Sequence, residues 1–178
     1  MHFNKDNLYT FINKFNKEKI SNLKNISNVI FRNYQKKIDF KTIIKVRNEC
    51  KKYKLKLYLS NDIKLAIRAN LNGVYIPSFN KSLYLSSFKN IRRDFKILGS
   101  AHNIKDLKLK EKQGVDIIFL SPLFLTKNYN NCLGIIKFNL ISINTKKSVI
   151  ALGGIRKNNI KKMNMINALG FSGITIFE

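Results

Sequence analysis

Eight short apolar runs, separated by longer segments of helical periodicity, limit the folds that this chain of 178 residues can adopt. Each run has the length of a buried strand, and many of the segments between them place apolar residues three and four positions apart, as an amphipathic helix does. Strands that alternate with helices pair in parallel, because antiparallel neighbours need no crossover helix. Eight such units predict a compact α/β fold, the (β/α)8 TIM barrel, with strands at Leu8–Ile12, Asn28–Arg32, Lys56–Ser60, Gly73–Ile76, Lys96–Ser100, Asp116–Leu120, Ser148–Leu152 and Gly173–Phe177.

The predicted helices differ in how clearly the sequence marks them. Periodicity is clearest at Phe40–Tyr53, Asn61–Leu71, Asn103–Gln113 and Asn158–Leu169, whereas Asn80–Arg92 is poorly marked. A barrel of this type usually takes roughly 250 residues, and no helical segment follows the last predicted strand. We therefore expect one domain over residues 1–178 whose last covering helix is missing. Either that part of the barrel stays open or a partner subunit covers it, and we favour a homo-oligomer, because an uncovered apolar face is a liability.

Basic residues outnumber acidic ones, with 34 Lys and Arg against 10 Asp and Glu and a formal net charge of +24. A charge of this size suggests a polyanionic partner. The lysines are nevertheless scattered through every segment together with Asn and Ile, as in a coding sequence biased toward A/T-rich codons. We therefore expect no nucleic-acid binding, and we expect the positive field to attract phosphorylated small molecules.

The location of the protein is also constrained by the sequence. No apolar run approaches the length of a membrane span, and the N-terminal segment lacks the apolar region of a secretory signal. Cys50 and Cys132 lie far apart and have no metal-ligand spacing. We expect a cytoplasmic protein with reduced thiols and no membrane partner.

Gly153 and Gly154 end the seventh predicted strand, at the start of a segment predicted to be helical. A buried strand that turns into a helix at a glycine pair exposes backbone N–H groups at the helix N-terminus, where phosphate is readily bound. In a barrel this turn lies beside the eighth strand, where phosphate sites of the fold are found. The alternative is a tight turn that binds no ligand.

Segments that follow or include the predicted strands carry further polar residues. They read FRNY at Phe31–Tyr34, LSND at Leu59–Asp62, NGVYI at Asn72–Ile76, ILGSAHN at Ile97–Asn103, GVDIIFLSPLFLTK at Gly114–Lys127, LGIIKF at Leu133–Phe138, ALGGI at Ala151–Ile155 and LGFSGITI at Leu169–Ile176. In their order and spacing these segments resemble thiamine phosphate synthase and its TenI relatives over nearly the whole chain.

The resemblance implies a transferase of thiamine biosynthesis that joins hydroxymethylpyrimidine diphosphate to thiazole phosphate and releases diphosphate, with Mg²⁺ present. In the family the pyrimidine C–O bond ionises first, and the thiazole nitrogen then captures the cation. This chemistry needs stabilisation of the departing diphosphate and positioning of two substrates rather than an acid–base pair.

Two residues match family positions near the diphosphate. Arg32 matches the arginine of a Q-x-R-x-K pattern, although Ile30 and Tyr34 replace the glutamine and the lysine. Ser100 matches the serine of an S-x-H segment, whose hydroxyl would donate to a diphosphate oxygen. We assign both residues to catalysis and substrate binding; the alternative for Arg32 is an ordinary strand-end arginine, and we interpret His102 as a structural partner of the next helix.

The resemblance also supplies a magnesium ligand. Asn61 and Asp62 match an N-D pair in which the aspartate binds Mg²⁺ and the asparagine contacts substrate. A second family aspartate falls at Asn80, with Ser78 at a glutamine, so one carboxylate remains for the metal. The alternative is that Asn61 caps the following helix and Asp62 lies in its first turn.

The loop after the sixth strand matches a G-P-I-F-P-T-x-T-K pattern, which places Thr126 at the first threonine and makes it a substrate-binding candidate. The family lysine falls on Tyr129, and Lys127, two residues earlier, is a candidate replacement. Gly153 and Gly154 match the GGI that holds the thiazole phosphate. Ser121 and Pro122 occupy the place of the TenI tautomerase histidine, which argues against that reaction.

Two alternatives to a synthase stay open. The replaced glutamine, lysine and aspartate positions suit a family member that binds a thiamine precursor without catalysis. The net charge suits a basic protein that binds RNA or another polyanion.

Overall fold

The structure is a computed structural model that describes residues 3–23, 25–35, 38–88, 91–126, 131–174 and 176–177. Within these ranges eight parallel strands close a barrel in chain order, and the last strand pairs with the first. The predicted (β/α)8 barrel is confirmed. Its strands are β1 (Leu8–Ile12), β2 (Asn28–Phe31), β3 (Lys56–Ser60), β4 (Gly73–Ile76), β5 (Lys96–Ala101), β6 (Ile117–Leu120), β7 (Ser148–Leu152) and β8 (Gly170–Ser172).

Helices connect most of these strands. The α-helices are α1 (Lys17–Ser21), α2 (Phe40–Lys52), α3 (Ile63–Arg68), α4 (Ile104–Lys112) and α5 (Gly134–Ser142), and 3₁₀ helices span Lys5–Asn7, Leu83–Phe88 and Ile160–Met165. Side chains cap several N-termini: Asp39, Asp62 and Asn103 each accept a backbone N–H three residues on. None of the helices in the described part of the chain is long and apolar enough to span a membrane.

The eighth strand lies earlier than predicted. The predicted strand Gly173–Phe177 is wrong at every residue of it that the structure describes: β8 is Gly170–Ser172, which pairs with Ile150–Leu152 on one side and with Leu8 and Tyr9 on the other. Close packing against the chain before β1 fixes this position, because a Cβ on Gly170 would lie 2.0 Å from the carbonyl oxygen of Asn7. Residues 173, 174, 176 and 177, the described part after β8, contain no helix.

The helix predicted at Asn158–Leu169 is also wrong in type and length. Only Ile160–Met165 is helical there, as a 3₁₀ helix. The Asn159 amide donates to the carbonyl of Gly154 and accepts the N–H of Arg156, so a side chain takes hydrogen bonds that a regular helix would make with backbone.

Aromatic side chains fill the interior of the barrel. Tyr9, Phe11, Tyr75 and Phe119 meet edge to face, with ring centroids 4.9 to 5.5 Å apart. A second apolar cluster lies between the strands and the helices outside them. These side chains fill the interior, and a cavity opens at the end of the barrel, where Tyr75 forms part of the floor.

Candidate active site

Two adjoining cavities open where the strands end at their carboxyl termini. The first, of about 310 Å³, is lined by Arg32, Tyr34, Tyr75, Pro77, Ser78, Phe79, Ser100, His102, Ser121, Pro122, Thr126, Leu152 and Gly153. The second, of about 320 Å³, is lined by Thr126, Leu152, Gly153, Gly154, Ile155, Arg156, Ser172, Gly173 and Ile174. Thr126, Leu152 and Gly153 line both cavities, so the two spaces meet along the loop after β6 and the end of β7.

Arg32 follows β2 directly and faces the first cavity. Its backbone N–H donates to the carbonyl of Ile12 at 2.8 Å, and its guanidinium lies 4.4 Å from the centroid of the Phe11 ring. None of the ion pairs among the described residues includes Arg32. The aromatic face therefore supports the cation while its charge stays available to an anion.

Ser100 and His102 extend from β5 toward the same space. Ser100 is buried at the cavity wall. The His102 Nδ1 lies 2.8 Å from the Ser121 carbonyl oxygen, which can only accept, so Nδ1 carries the proton. The His102 backbone N–H donates to Asp106 in the first turn of α4. His102 thus ties β5 to the loop after β6 and to α4, as our structural interpretation of this residue requires.

Asn61 and Asp62 lie outside the described lining of both cavities. The Asp62 Oδ1 accepts the N–H of Leu65 at 2.9 Å and caps α3. The Asn61 Oδ1 accepts from the amide of Asn80 at 2.8 Å, so Asn61 does not cap this helix. The described residues contain no group of three His, Cys, Asp or Glu side chains that could hold a metal. At this turn Asp62 offers a cation the carboxylate oxygen that does not cap α3.

Close packing explains the glycine pair after β7. Gly153 and Gly154 have φ angles of 97° and 69°, and added Cβ atoms would lie 2.8 Å from the Pro122 Cα and 2.6 Å from the Leu125 carbonyl oxygen. The Phe124 N–H donates to the Gly153 carbonyl. The predicted helix N-terminus is absent, because the following 3₁₀ helix begins only at Ile160. Both glycines nevertheless line the second cavity.

Thr126 lies where the two cavities meet. Its Oγ1 is buried and has no hydrogen-bond partner among the described residues. A buried hydroxyl without a partner is rare, because desolvation is costly. This atom is therefore suited to bind a ligand that occupies either cavity. The candidate Lys127 lies outside the described residues.

Sequence reasoning gave no role to Tyr34, Phe79 or Arg156, which also line these walls. Tyr34, considered only as a lost lysine, donates to or accepts from the Ser60 hydroxyl at 3.0 Å and packs edge to face on Phe79 with centroids 5.6 Å apart. Arg156 adds a cation to the second cavity. Its place two residues after the glycine pair could have drawn attention to it, whereas nothing local in the sequence pairs Tyr34 with Phe79.

Comparison with known proteins gives a consistent family. The family model described as thiamine monophosphate synthase matches residues 17–177. A protein of Aquifex aeolicus named putative thiamine-phosphate synthase 2 is 32% identical over 140 residues, which cover 78% of this chain and 74% of that protein. A thiamine-phosphate synthase of Prochlorococcus marinus is also 32% identical, over 66% of this chain, but the chain spans only 34% of that longer protein.

A solved structure supports the fold. Thiamine phosphate pyrophosphorylase from Pyrococcus furiosus superposes with a TM-score of 0.78 at 19% identity, covering 96% of this chain and 86% of that one. At this identity the similarity concerns the fold alone. The family model, however, spans most of the sequence, and the Aquifex protein matches over most of its own length. The chain belongs to the thiamine monophosphate synthase family.

Proposed function

We propose that this protein condenses hydroxymethylpyrimidine diphosphate with thiazole phosphate to give thiamine phosphate and diphosphate. The observation that carries the proposal is the pair of adjoining cavities that meet at the Thr126 hydroxyl, which has no hydrogen-bond partner in the described part of the chain. Two substrates that react with each other need two neighbouring sites, and holding them in contact supplies much of the rate. Membership of the family supports the same reaction.

In this proposal the first cavity binds the pyrimidine diphosphate. The guanidinium of Arg32 and the hydroxyl of Ser100 donate to the diphosphate oxygens, on which negative charge grows as the C–O bond breaks. Donors fixed in a site that excludes water stabilise such charge far better than water does. The rings of Tyr34 and Phe79 provide an aromatic wall for the pyrimidine.

The second cavity binds the thiazole phosphate. Gly153 and Gly154 let the backbone approach the phosphate closely, and Arg156 and Ser172 add a charge and a hydroxyl. Thr126 donates to whichever group lies at the junction. The thiazole nitrogen is thereby held toward the first cavity, where it captures the pyrimidine cation.

Magnesium fits this site only as an ion that takes most of its ligands from water and diphosphate, as Mg²⁺ commonly does with one or two carboxylates. Asp62 would hold it through the carboxylate oxygen that does not cap α3. Bound Mg²⁺ neutralises charge on the leaving diphosphate. Asn61, tied to Asn80, positions the turn that carries Asp62.

The direct test is product formation by the purified protein with Mg²⁺ and both substrates, followed by chromatography. We expect thiamine phosphate and diphosphate in equal amounts. Arg32→Met should lower kcat/KM for the pyrimidine substrate at least about a hundred-fold, whereas the exposed Arg93→Met should match the unmodified protein. A product level equal to that of a protein-free mixture would overturn the proposal.

A precursor-binding protein without catalysis is the second candidate, because Asn61 and Asp62 lie outside the described cavity linings. Calorimetric titration separates the two functions. Saturable binding of one precursor, without product when both are supplied, would favour this alternative over the synthase.

A further inference from the structure

Lys110 is the one fully buried lysine among the described residues. It lies in α4 and its ammonium makes three hydrogen bonds, to the carbonyls of Pro77 and Asn80 at 2.9 Å each and to the Gln113 Oε1 at 2.8 Å. These bonds use all three protons of the ammonium group. Burial lowers the pKa of Lys110 to about 8, an effect that the nearby Asp106 opposes.

Gln113, which is also fully buried, completes the arrangement. Its amide nitrogen donates to the carbonyls of Asn80 and Ser82 at 2.9 and 3.0 Å. Two side chains at the end of α4 therefore hold four contacts to the backbone of Pro77–Ser82, which we call the strap. The strand beneath accommodates them, because a Cβ on Gly99 would lie 3.0 Å from the Lys110 Cδ.

The strap forms one wall of the first cavity. Pro77, Ser78 and Phe79 line that cavity, and Phe79 packs on Tyr34. Within the strap, the Asn80 side-chain amide also donates to Asn61, beside Asp62. A buried ammonium is costly unless hydrogen-bond partners satisfy it, and Lys110 is not among the described residues that line the first or the second cavity.

We propose that Lys110 and Gln113 are positioning residues that clamp the strap, so that Ser78 and Phe79 stand as a fixed wall against the ring of the first substrate. The identity of that substrate rests on the proposed function, but the clamp itself does not. Loss of the clamp should free the strap and weaken binding in the first cavity, while the second cavity keeps its affinity.

Three variants test this inference. Lys110→Met removes the ammonium and keeps the length of the side chain. Gln113→Glu removes the two donors to the strap but leaves an oxygen that accepts from Lys110. It therefore tests the clamp even if Lys110→Met does not fold. Lys112→Met, an exposed position on the same helix, is the matched control.

Limited trypsin digestion reports on the strap without any substrate, because Lys81 is exposed within it. We expect cleavage after Lys81, followed by mass spectrometry, to be about ten-fold faster in Lys110→Met and Gln113→Glu than in Lys112→Met. In Lys110→Met and Gln113→Glu, KM for the pyrimidine diphosphate should rise about ten-fold relative to Lys112→Met. KM for the thiazole phosphate should stay within about two-fold of its value in Lys112→Met.

The outcomes separate the two proposals. The clamp would be overturned if folded Lys110→Met or Gln113→Glu is cleaved after Lys81 at the same rate as Lys112→Met and binds the pyrimidine diphosphate with the same KM. An unmodified protein that makes no product would overturn the synthase alone, and the cleavage rates would still decide the clamp.

Discussion

Cys50 shows how burial of a single side chain couples stability to pH. It lies in α2 with none of its surface exposed, and burial, with a smaller effect from Glu49, raises the pKa of its thiol to about 12 from 9.0. The unfolded thiol therefore ionises before the folded one does. Its contribution to stability is complete below pH 9 and is lost as the pH rises toward 12.

We predict that Cys50→Ala flattens this alkaline loss. Between about pH 9 and pH 10.5 the free energy of unfolding of the unmodified protein should fall by about 2 kcal/mol relative to the variant. Urea unfolding at both pH values measures the difference. Lys110, whose lowered pKa acts in the opposite direction, is common to both proteins and cancels. If the free energies of unfolding of the two proteins change with pH in parallel, the Cys50 thiol has the same pKa in the folded and the unfolded chain.

The glycine after β7 allows a second prediction at the scale of one residue. Gly154 and Gly134 have similar positive φ angles, of 69° and 64°. A Cβ on Gly154 would clash with Phe124 and Leu125 in the loop after β6, whereas a Cβ on Gly134 would meet no atom of the described residues within 4 Å. Gly134→Ala should cost about 1 kcal/mol for the backbone conformation alone. Gly154→Ala should cost at least about 2 kcal/mol more, because overpacking adds to it. Thermal unfolding compares them, and equal losses would mean that the loop yields without cost.

At the scale of elements, α3 combines a helix cap with a candidate metal ligand in Asp62. We predict that Asp62→Asn keeps the stability within about 0.5 kcal/mol, because asparagine caps as well as aspartate, yet raises the Mg²⁺ concentration that gives half the maximal rate. Asp62→Ala should show the same higher requirement for Mg²⁺ and should also lose about 1 kcal/mol of stability, because alanine does not cap the helix.

Chemical unfolding and magnesium titration of the rate check the two effects separately. If Asp62→Asn needs no more Mg²⁺ than the unmodified protein, Asp62 is only a cap.

The elements also show what local sequence predicts. The predicted strands Lys56–Ser60 and Ser148–Leu152 have their observed bounds, because turn-forming residues follow each apolar run, Asn61 and Asp62 in one case and Gly153 and Gly154 in the other. β8 was misplaced because the run at Gly173–Phe177 looks more like a strand than Gly170–Ser172 does. Its position depends instead on closure of the barrel against Leu8 and Tyr9, a contact across the whole chain.

Prediction of the candidate site met the same limit. Arg32, Ser100, Thr126 and Gly153 line the first cavity, as their places at strand ends suggested, but Asp62 does not. The contacts between α4 and the strap join residues about thirty positions apart, and no local pattern announces them. Whether the site residues act as assigned stays a prediction, as do the single domain, the homo-oligomer, the cytoplasmic location and the absence of nucleic-acid binding.

For the whole molecule, the net charge of +24 sets the field in which an anionic substrate approaches. We predict that raising the ionic strength from about 0.05 M to 0.5 M increases KM for the pyrimidine diphosphate several-fold with little change in kcat, because salt screens attraction over distances beyond a few ångströms. Steady-state kinetics in a series of salt concentrations measures it. If KM does not change with salt, the net charge of the whole molecule does not contribute to substrate binding, and only charges inside the cavities attract the substrate.

The wall that the two cavities share has a thermodynamic consequence. Thr126, Leu152 and Gly153 line both spaces, so a molecule in one cavity forms part of the boundary of the other. If the two substrates bind as proposed, we predict that each changes the affinity for its counterpart, and linkage makes the two changes equal in magnitude. The fraction of protein that holds both precursors then depends on one coupling free energy in addition to the two separate affinities.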